Sequence, residues 1–127
     1  MEVRFDASGL VPCVIQDFAS GEVLTLAYMN EEALRRTQET GELHLYSRSR
    51  HELWRKGATS GNTLEVVEVL LDCDGDALLV RARPHGPTCH TGEESCFHRR
   101  LNVERGAWSV EREARTEGRG PKAEGRW

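Results

Sequence analysis

Short apolar runs of strand length, separated by turn-forming residues, dominate the middle of the chain. Val23–Met29 is the first such run, and it is followed by Asn30. A helix is predicted over residues 31–40, because Asn30 is a good N-cap and Gly41 suits the C-terminal stop. Residues 43–48 then have the pattern of another strand.

The following segments predict a second helix and a hairpin. Ser49 and Glu52 have the spacing of a capping box, which predicts a short helix that continues through Trp54 and ends at Gly57. Two β-rich runs, residues 63–71 and 77–83, flank an Asp-Gly pair, which is a strong hairpin signal. The pattern favours a β-rich α+β fold, a small single domain with two short helices.

The last third of the chain has weaker signals. Residues 84–97 are predicted to be irregular, and beyond residue 105 the composition shifts to Glu, Arg and Gly of mixed sign. We expect a domain over residues 1–110 and a charged, loosely ordered tail over residues 111–127.

Composition narrows the function classes. The 127 residues fit one compact domain, and a hydrophobic fraction of 38% with a charged fraction of 30% predicts a modest core that a second subunit would complete. The net charge of -4 does not indicate a basic surface that binds nucleic acid in general. No apolar run approaches the roughly 18 residues of a membrane span, and the N-terminus lacks the pattern of a secretory signal. We therefore expect a cytoplasmic protein with no membrane or nucleic-acid partner, in which the cysteines are thiols or metal ligands.

Three cysteines, Cys73, Cys89 and Cys96, lie in or beside loop-like segments among aspartates, histidines and glycines. Their wide spacing does not match a zinc finger, which needs close CxxC pairs. Spacing alone leaves metal binding and buried structural thiols as equal alternatives, whereas the polar surroundings favour a metal. Three protein ligands with an open fourth position are typical of catalytic zinc.

Two further groups could take part in chemistry at this site. His90 directly follows Cys89 and adjacent residues seldom reach one metal together, so an acid–base role is the better interpretation; a hydrogen-bonded surface histidine is the alternative. Asp72, Asp74 and Asp76 alternate, so an extended backbone would point all three carboxylates to one face. Mg²⁺ or Ca²⁺ would suit them, although aspartates also favour turns without a metal.

A basic cluster, formed by Arg48, Arg50, Arg55 and Lys56, precedes the small and hydroxylated segment Thr59–Asn62. Guanidiniums, hydroxyls and backbone N–H groups beside a glycine are what phosphate binding requires. A solvated basic face is the alternative.

Together these segments resemble one family, phosphoribosyl-AMP cyclohydrolase of histidine biosynthesis. The resemblance covers about residues 20–100 in the family's order, through these motifs: Ala27–Asn30, Tyr46–Arg50, Leu53–Asn62, Asp72–Leu79, Cys89–Gly92 and Ser95–Phe97. It implies hydrolysis of the N1–C6 bond of the adenine ring in N1-(phosphoribosyl)-AMP by zinc-activated water. This is the third step of L-histidine biosynthesis, and its product is the formimino-aminoimidazole carboxamide ribotide intermediate.

The resemblance also implies cofactors and roles for particular residues. Zinc, one ion per subunit, would be held by Cys73, Cys89 and Cys96, shared between the subunits of an intertwined homodimer. Mg²⁺ would be held by Asp72, Asp74 and Asp76. We hypothesise that His90 passes a proton to N1 of the substrate. The expected substrate-binding residues are Arg48, Arg50, Trp54, Lys56, Thr59, Ser60, Gly61 and Asn62.

The chain departs from the family's pattern at three positions. Leu64 and Arg83 stand where glutamine is common, and Thr88 stands where alanine is common. Two rival functions stay open, a non-catalytic zinc-stabilised module that binds a nucleotide or protein, and a zinc deaminase of nucleosides. The deaminases, however, use closer ligand spacings than this chain offers.

Overall fold

The computed structural model describes residues 2–104 and 107–111 and divides the chain into two compact units, residues 1–96 and 97–127. The first unit is rich in strands. Its elements are β1 (Val11–Asp17), β2 (Val23–Met29), α1 (Glu31–Thr40), β3 (His44–Ser47), β4 (Glu52–Arg55), β5 (Leu64–Leu71) and β6 (Leu78–Pro84). In the second unit β7 (Arg100–Glu104) pairs with β8 (Ala107–Glu111) in an antiparallel hairpin.

Four strands form a mixed sheet in the order β2-β1-β6-β5. β1 runs parallel to β6, whereas the β1–β2 and β5–β6 pairs are antiparallel. The predicted β-rich α+β class is therefore confirmed. The predicted hairpin is also present, because β5 and β6 are consecutive, antiparallel and joined across Asp72–Ala77.

The sheet's inner face forms the core. Val11, Cys13 and Ile15 alternate along β1 and are fully buried, with Leu78, Val80 and Ala82 of β6 beside them. The sequence pattern predicts no strand at β1, because Pro12 interrupts the apolar run. Pro12 is tolerated because it lies at the second residue of the strand, and the β1–β6 pairing begins only at Cys13.

Helix α1 has the predicted bounds. The Asn30 side chain accepts a hydrogen bond of 2.8 Å from the Ala33 amide, and Gly41 adopts the left-handed conformation with φ 77°. The helix buries Ala33 and Thr37, and the Thr37 hydroxyl oxygen accepts a 2.9 Å hydrogen bond from the His44 amide. This bond ties α1 to β3.

The predicted second helix is wrong. Residues 52–55 form strand β4, which pairs with β3 in the register Leu45↔Trp54 and Tyr46↔Leu53. The apparent capping box begins in the connecting turn and ends at the first residue of β4. In that turn the Ser47 hydroxyl accepts a 3.2 Å hydrogen bond from the Arg50 amide, and His51 takes a positive φ of 55°. Ser47 therefore stabilises a hairpin turn. A capping box spacing does not distinguish such a turn from a helix start.

Within the residues described, no helix has the length and apolar character needed to cross a membrane. The segment from residue 84 to 97 is irregular beyond Pro84, as predicted. Of the predicted tail, Glu111 ends β8, and residues 112–127 lie outside the described residues.

Candidate metal and substrate site

The turn between β5 and β6 gathers the three aspartates. Ligand oxygens of Asp72, Asp74 and Asp76 lie within 4.8 Å of one another, and all three side chains are exposed. The turn is closed by local hydrogen bonds, because the Asp72 amide donates to the Ala77 carbonyl and the Gly75 amide donates to the Asp72 carbonyl, each at 3.0 Å. Gly75 has a φ of 78°, a conformation that favours glycine. The cluster is an all-oxygen donor set of the kind that suits a hard divalent cation.

Asp72 also shapes this turn. Its carboxylate accepts a 3.0 Å hydrogen bond from the Asp76 amide. Desolvation acts to raise the pKa of Asp72, but hydrogen bonds, first from the Asp76 amide and then from those of Gly75 and Ala77, outweigh it and hold the pKa below its ordinary value. The anionic form is therefore favoured before any cation binds.

The segment that carries Cys89 is a tight loop closed by its own backbone. The Gly92 amide donates to the Cys89 carbonyl at 3.0 Å, and the Cys89 amide donates to the Glu93 carbonyl at 3.1 Å. The Thr91 hydroxyl donates to the Cys89 sulfur at 3.0 Å. The Cys89 side chain is thus oriented before it meets any ligand.

Cys96 is held beside this loop through the first residues of β2. Its amide donates a 2.7 Å hydrogen bond to the Leu24 carbonyl, and the neighbouring Ser95 hydroxyl donates to the Val23 carbonyl at 2.7 Å. The Cys96 side chain lies close enough to interact with the Cys89 sulfur. Two candidate zinc ligands are therefore neighbours within one chain.

The two buried thiols have opposite environments. Hydrogen bonds from the Thr91 hydroxyl and amide lower the pKa of Cys89 against the opposing effect of desolvation, and the Cys96 side chain and the Lys56 charge lower it further. Burial instead raises the pKa of Cys13 to about 12. A lowered pKa favours the thiolate, which is the metal-binding form. Cys89 therefore fits a zinc ligand, and Cys13 is a core residue.

Cys73 does not join Cys89 and Cys96. It is an exposed residue of the aspartate turn, which precedes β6, whereas Cys89 follows the end of that strand. β6 has 7 residues, and at about 3.3 Å per residue a strand of this length spans roughly 20 Å. In the part of the chain that the structure describes, the aspartates are the only group of three or more such ligands that could hold one metal.

Cationic side chains of the predicted basic cluster pack against aromatic rings around the β3–β4 hairpin. The Arg48 guanidinium lies 4.0 Å from the centre of the Tyr28 ring. The Arg50 guanidinium and the Lys56 ammonium each lie 5.9 Å from the Trp54 ring centre. These contacts place each cation against an aromatic ring, and Arg48 and Arg50 stay exposed.

The predicted phosphate-binding segment packs against the residues that lead to Cys89. Thr59, Ser60 and Gly61 are exposed, while Asn62 is half-buried and its side chain lies against Gly86, so that a side chain added at Gly86 would displace it. The His85 amide donates to the Thr63 carbonyl at 2.9 Å. The structure thus brings the hydroxyl-rich segment and the Cys89 loop together.

The remaining sequence-predicted positions have distinct surroundings. His90 is exposed in the turn between Cys89 and Gly92, where a substrate could reach it. Leu64 is buried in the core, so the residue that replaces the family's glutamine packs with apolar side chains. The guanidinium of Arg83, a residue of β6, lies 5.3 Å from the centre of the Phe18 ring. Thr88 is buried, and its hydroxyl has no hydrogen-bond partner among the described residues.

The sequence interpretation missed Thr91 and Tyr28, which the structure places against Cys89 and Arg48. For Thr91 a signal is available, because a threonine two residues after a cysteine in a glycine-closed turn can return its hydroxyl to that side chain. Tyr28 gives no such signal, because its ring reaches Arg48 only after β2 and the β3–β4 hairpin have folded.

Comparisons with known proteins show which family this chain is similar to. The phosphoribosyl-AMP cyclohydrolase family profile matches residues 25–98. A phosphoribosyl-AMP cyclohydrolase of Haloarcula marismortui is 59% identical over 82% of this chain and 87% of its own length. One of Rhizorhabdus wittichii is 56% identical over 80% of this chain and 82% of its own length. A histidine biosynthesis bifunctional protein of Thermus thermophilus is 66% identical over 78% of this chain, but the match spans only 46% of that longer protein.

Proposed function

Because this chain belongs to the phosphoribosyl-AMP cyclohydrolase family, we propose that it opens the adenine ring of N1-(phosphoribosyl)-AMP in histidine biosynthesis. Water adds at C6, the N1–C6 bond breaks and N1 takes up a proton, which gives the formimino-aminoimidazole carboxamide ribotide intermediate. The observation that carries the proposal is the match over 87% of a relative named for this single activity. A cytoplasmic location, with no membrane or nucleic-acid partner, is part of the proposal.

Cys89 and Cys96 are the proposed zinc ligands of one subunit. Their proximity and the hydrogen bond from Thr91 to the Cys89 sulfur support this assignment, because a thiolate is the ligand form that zinc needs. When bound, zinc supplies Lewis acidity and lowers the pKa of water. The chain's own contribution is to hold two thiols at a fixed place beside the substrate residues.

The third proposed ligand is Cys73 of the partner subunit. Within one chain Cys73 lies at the opposite end of β6 from Cys89, too far for a shared ion. A homodimer in which the aspartate turn of each subunit meets the Cys89 loop of the other would complete two equivalent sites. Because Cys73 lies between Asp72 and Asp74, the same contact would bring the partner's aspartates to the substrate.

The outer face of the sheet offers a surface for this dimer. Leu26, Val14, Leu79 and Leu70 lie in one row across β2, β1, β6 and β5, on the face opposite the core. Leu26 is 47% exposed and Leu70 is 45% exposed. An apolar row of this kind on a small domain with a modest core favours burial against a second copy.

The proposed substrate contacts follow from charge and chemistry. Arg48 and Arg50 are exposed guanidiniums suited to the two phosphates, and Trp54 offers an aromatic face. The Thr59 and Ser60 hydroxyls on the exposed Thr59–Gly61 segment, the Asn62 side chain and the two remaining N–H donors of Lys56 would complete the anion site. Mg²⁺ on Asp72, Asp74 and Asp76 would neutralise phosphate charge, and the close approach of the three carboxylates supports that site.

His90 is the proposed acid–base residue. It is exposed on the turn directly after Cys89, so its imidazole can exchange protons with a substrate held beside that thiol. It would hold a proton and pass it to N1 as the ring opens.

The deciding experiment is to add N1-(phosphoribosyl)-AMP to the purified protein with and without a zinc chelator, and to follow ring opening by absorbance. We expect turnover that the chelator removes and added Zn²⁺ restores. Absence of any ring opening in the zinc-loaded protein would defeat the proposal. Release of ammonia from adenosine or cytidine would instead favour the nucleoside deaminase.

A further inference from the structure

We propose that Lys56 is a positioning residue that locks the Cys89 loop to the substrate-binding segment. This inference rests on the proposed function and deepens it, since Lys56 is expected from the sequence to contact phosphate. An ammonium has three N–H donors, so the hydrogen bond that it makes within the protein leaves two for substrate.

The direct contact joins residues distant in sequence. The Lys56 Nζ atom donates a 2.6 Å hydrogen bond to the carbonyl oxygen of Thr88, the residue immediately before Cys89. Thr88 is itself 2% exposed, so this bond is made to a buried part of the loop. A charged donor to a backbone carbonyl in such a place is stronger than a neutral hydrogen bond.

The backbone of Lys56 is fixed as well as its side chain. Its amide donates to the Leu43 carbonyl at 2.9 Å, which ties the end of β4 to a fully buried core residue. The ammonium also lies 5.9 Å from the Trp54 ring centre. Lys56 therefore reaches the loop from an anchored position, unlike a solvated lysine.

A second contact acts in parallel with the first. Asn62 packs against Gly86 so closely that a side chain there would overlap it. The two segments are thus joined on both sides of Pro87, at Gly86 and at Thr88. A displacement of the substrate-binding segment would consequently displace Cys89, which couples the position of the thiol to the position of the phosphate-binding residues.

The test compares Lys56→Met and Lys56→Arg with Arg55→Met. Arg55 is the matched control, because it is a neighbouring cation that hydrogen-bonds to Glu42 at 3.0 Å and not to the Cys89 loop. Two readouts are used on the full chain: hydrogen exchange of the amides of residues 88–92 after metal removal, and Zn²⁺ affinity by competition with a chromophoric chelator.

We expect Lys56→Met to speed exchange at residues 88–92 and to weaken Zn²⁺ binding by about 10- to 100-fold, as for other residues that orient metal ligands. Lys56→Arg should restore part of both effects, and Arg55→Met should retain wild-type values for both. Unchanged exchange and Zn²⁺ affinity in Lys56→Met, with only a higher KM, would overturn the inference and leave Lys56 as a phosphate ligand alone.

The hydrogen-exchange readout separates the two proposals. If the wild-type protein binds Zn²⁺ but opens no adenine ring, the proposed function fails and both readouts still decide the role of Lys56. If exchange in Lys56→Met rises evenly along the whole chain, the lysine supports general stability and the inference is wrong.

Discussion

The two ends of strand β6 carry candidate metal sites that are built in different ways. At the start of the strand, one turn brings Asp72, Asp74 and Asp76 within 4.8 Å through hydrogen bonds among its own residues. At the other end, Cys89 and Cys96 are positioned by Lys56, Thr91 and the edge of β2. The aspartate site is local and its ligand set lies within a single chain, whereas the cysteine site depends on tertiary contacts and still lacks a third thiolate.

The comparison shows how much of the fold must form before the ligands of each site come together. A cluster made by one turn forms as soon as the turn does, so its geometry follows from a few residues. A cluster assembled from separate segments depends on the whole core, and here the missing ligand lies at the far end of the strand. The cysteine site should therefore be the more sensitive of the two to distant substitutions and to dissociation of subunits.

The largest expected effect comes from removing, one at a time, the zinc ligands that we assign to different subunits. Cys73→Ser and Cys89→Ser should each lower turnover by more than about 1,000-fold, because each removes a ligand from every site. Refolding an equimolar mixture of the two variants should restore about a quarter of the wild-type sites. Half of the dimers then contain one subunit of each variant, and each of these dimers has one intact site of its two. Ring-opening activity and bound zinc would measure the recovery.

The matched control is a mixture of Cys89→Ser with Cys96→Ser. Both ligands come from the same chain in each proposed site, so no combination of these subunits restores a complete set. Recovery in this control, or none in the first mixture, would contradict the shared site.

A smaller effect is expected from the packing that holds the cysteine loop. A side chain at Gly57, where φ is +87°, would place its Cβ 2.5 Å from the Asn62 backbone, whereas at Gly61, where φ is +83°, nothing lies within 4 Å. Gly61→Ala should cost about 1 kcal/mol of unfolding free energy through conformation alone, and Gly57→Ala about 3 kcal/mol or more. Urea unfolding measures both. Equal costs would show that the close approach at Asn62 relaxes easily.

The smallest expected effect is a pH dependence in the aspartate turn. The pKa of Asp72 is lowered in the folded protein, so its contribution to stability is present above the unfolded value of about 3.9 and is lost as pH falls through the folded value. The stability difference between wild type and Asp72→Asn should therefore shrink as the pH falls below about 4. Urea unfolding in the presence of EDTA would measure it.

Asp74→Asn is the control for this measurement. In the described part of the chain no turn amide donates to the Asp74 carboxylate, so its substitution should show no such loss with acid. A similar pH dependence for both variants would mean that general charge repulsion, and not the hydrogen bonds to Asp72, controls the turn.

Local sequence signals predicted part of this architecture correctly. The bounds of α1 follow from Asn30 and Gly41, and the β5–β6 hairpin follows from its Asp-Gly pair. The same kind of signal failed at Ser49, because a capping box and a hairpin turn place hydroxyls and acids at similar spacings. β1 was not predicted, because Pro12 interrupts the alternation of its apolar residues. The strand also becomes central in the sheet only when β6 pairs with it.

The sequence by itself determined the chemistry that the chain offers: three loop cysteines, alternating aspartates, a basic cluster, and the motif order that identifies the family. Tertiary structure decided which of these groups meet. It placed Cys89 beside Cys96 and Lys56 and put Cys73 at the opposite end of β6, because a strand separates its ends by a distance that no side chain can bridge. The sequence shows which candidate ligands the chain has. The distances between them in space depend on pairing between strands that are far apart in the sequence, which no local pattern predicts.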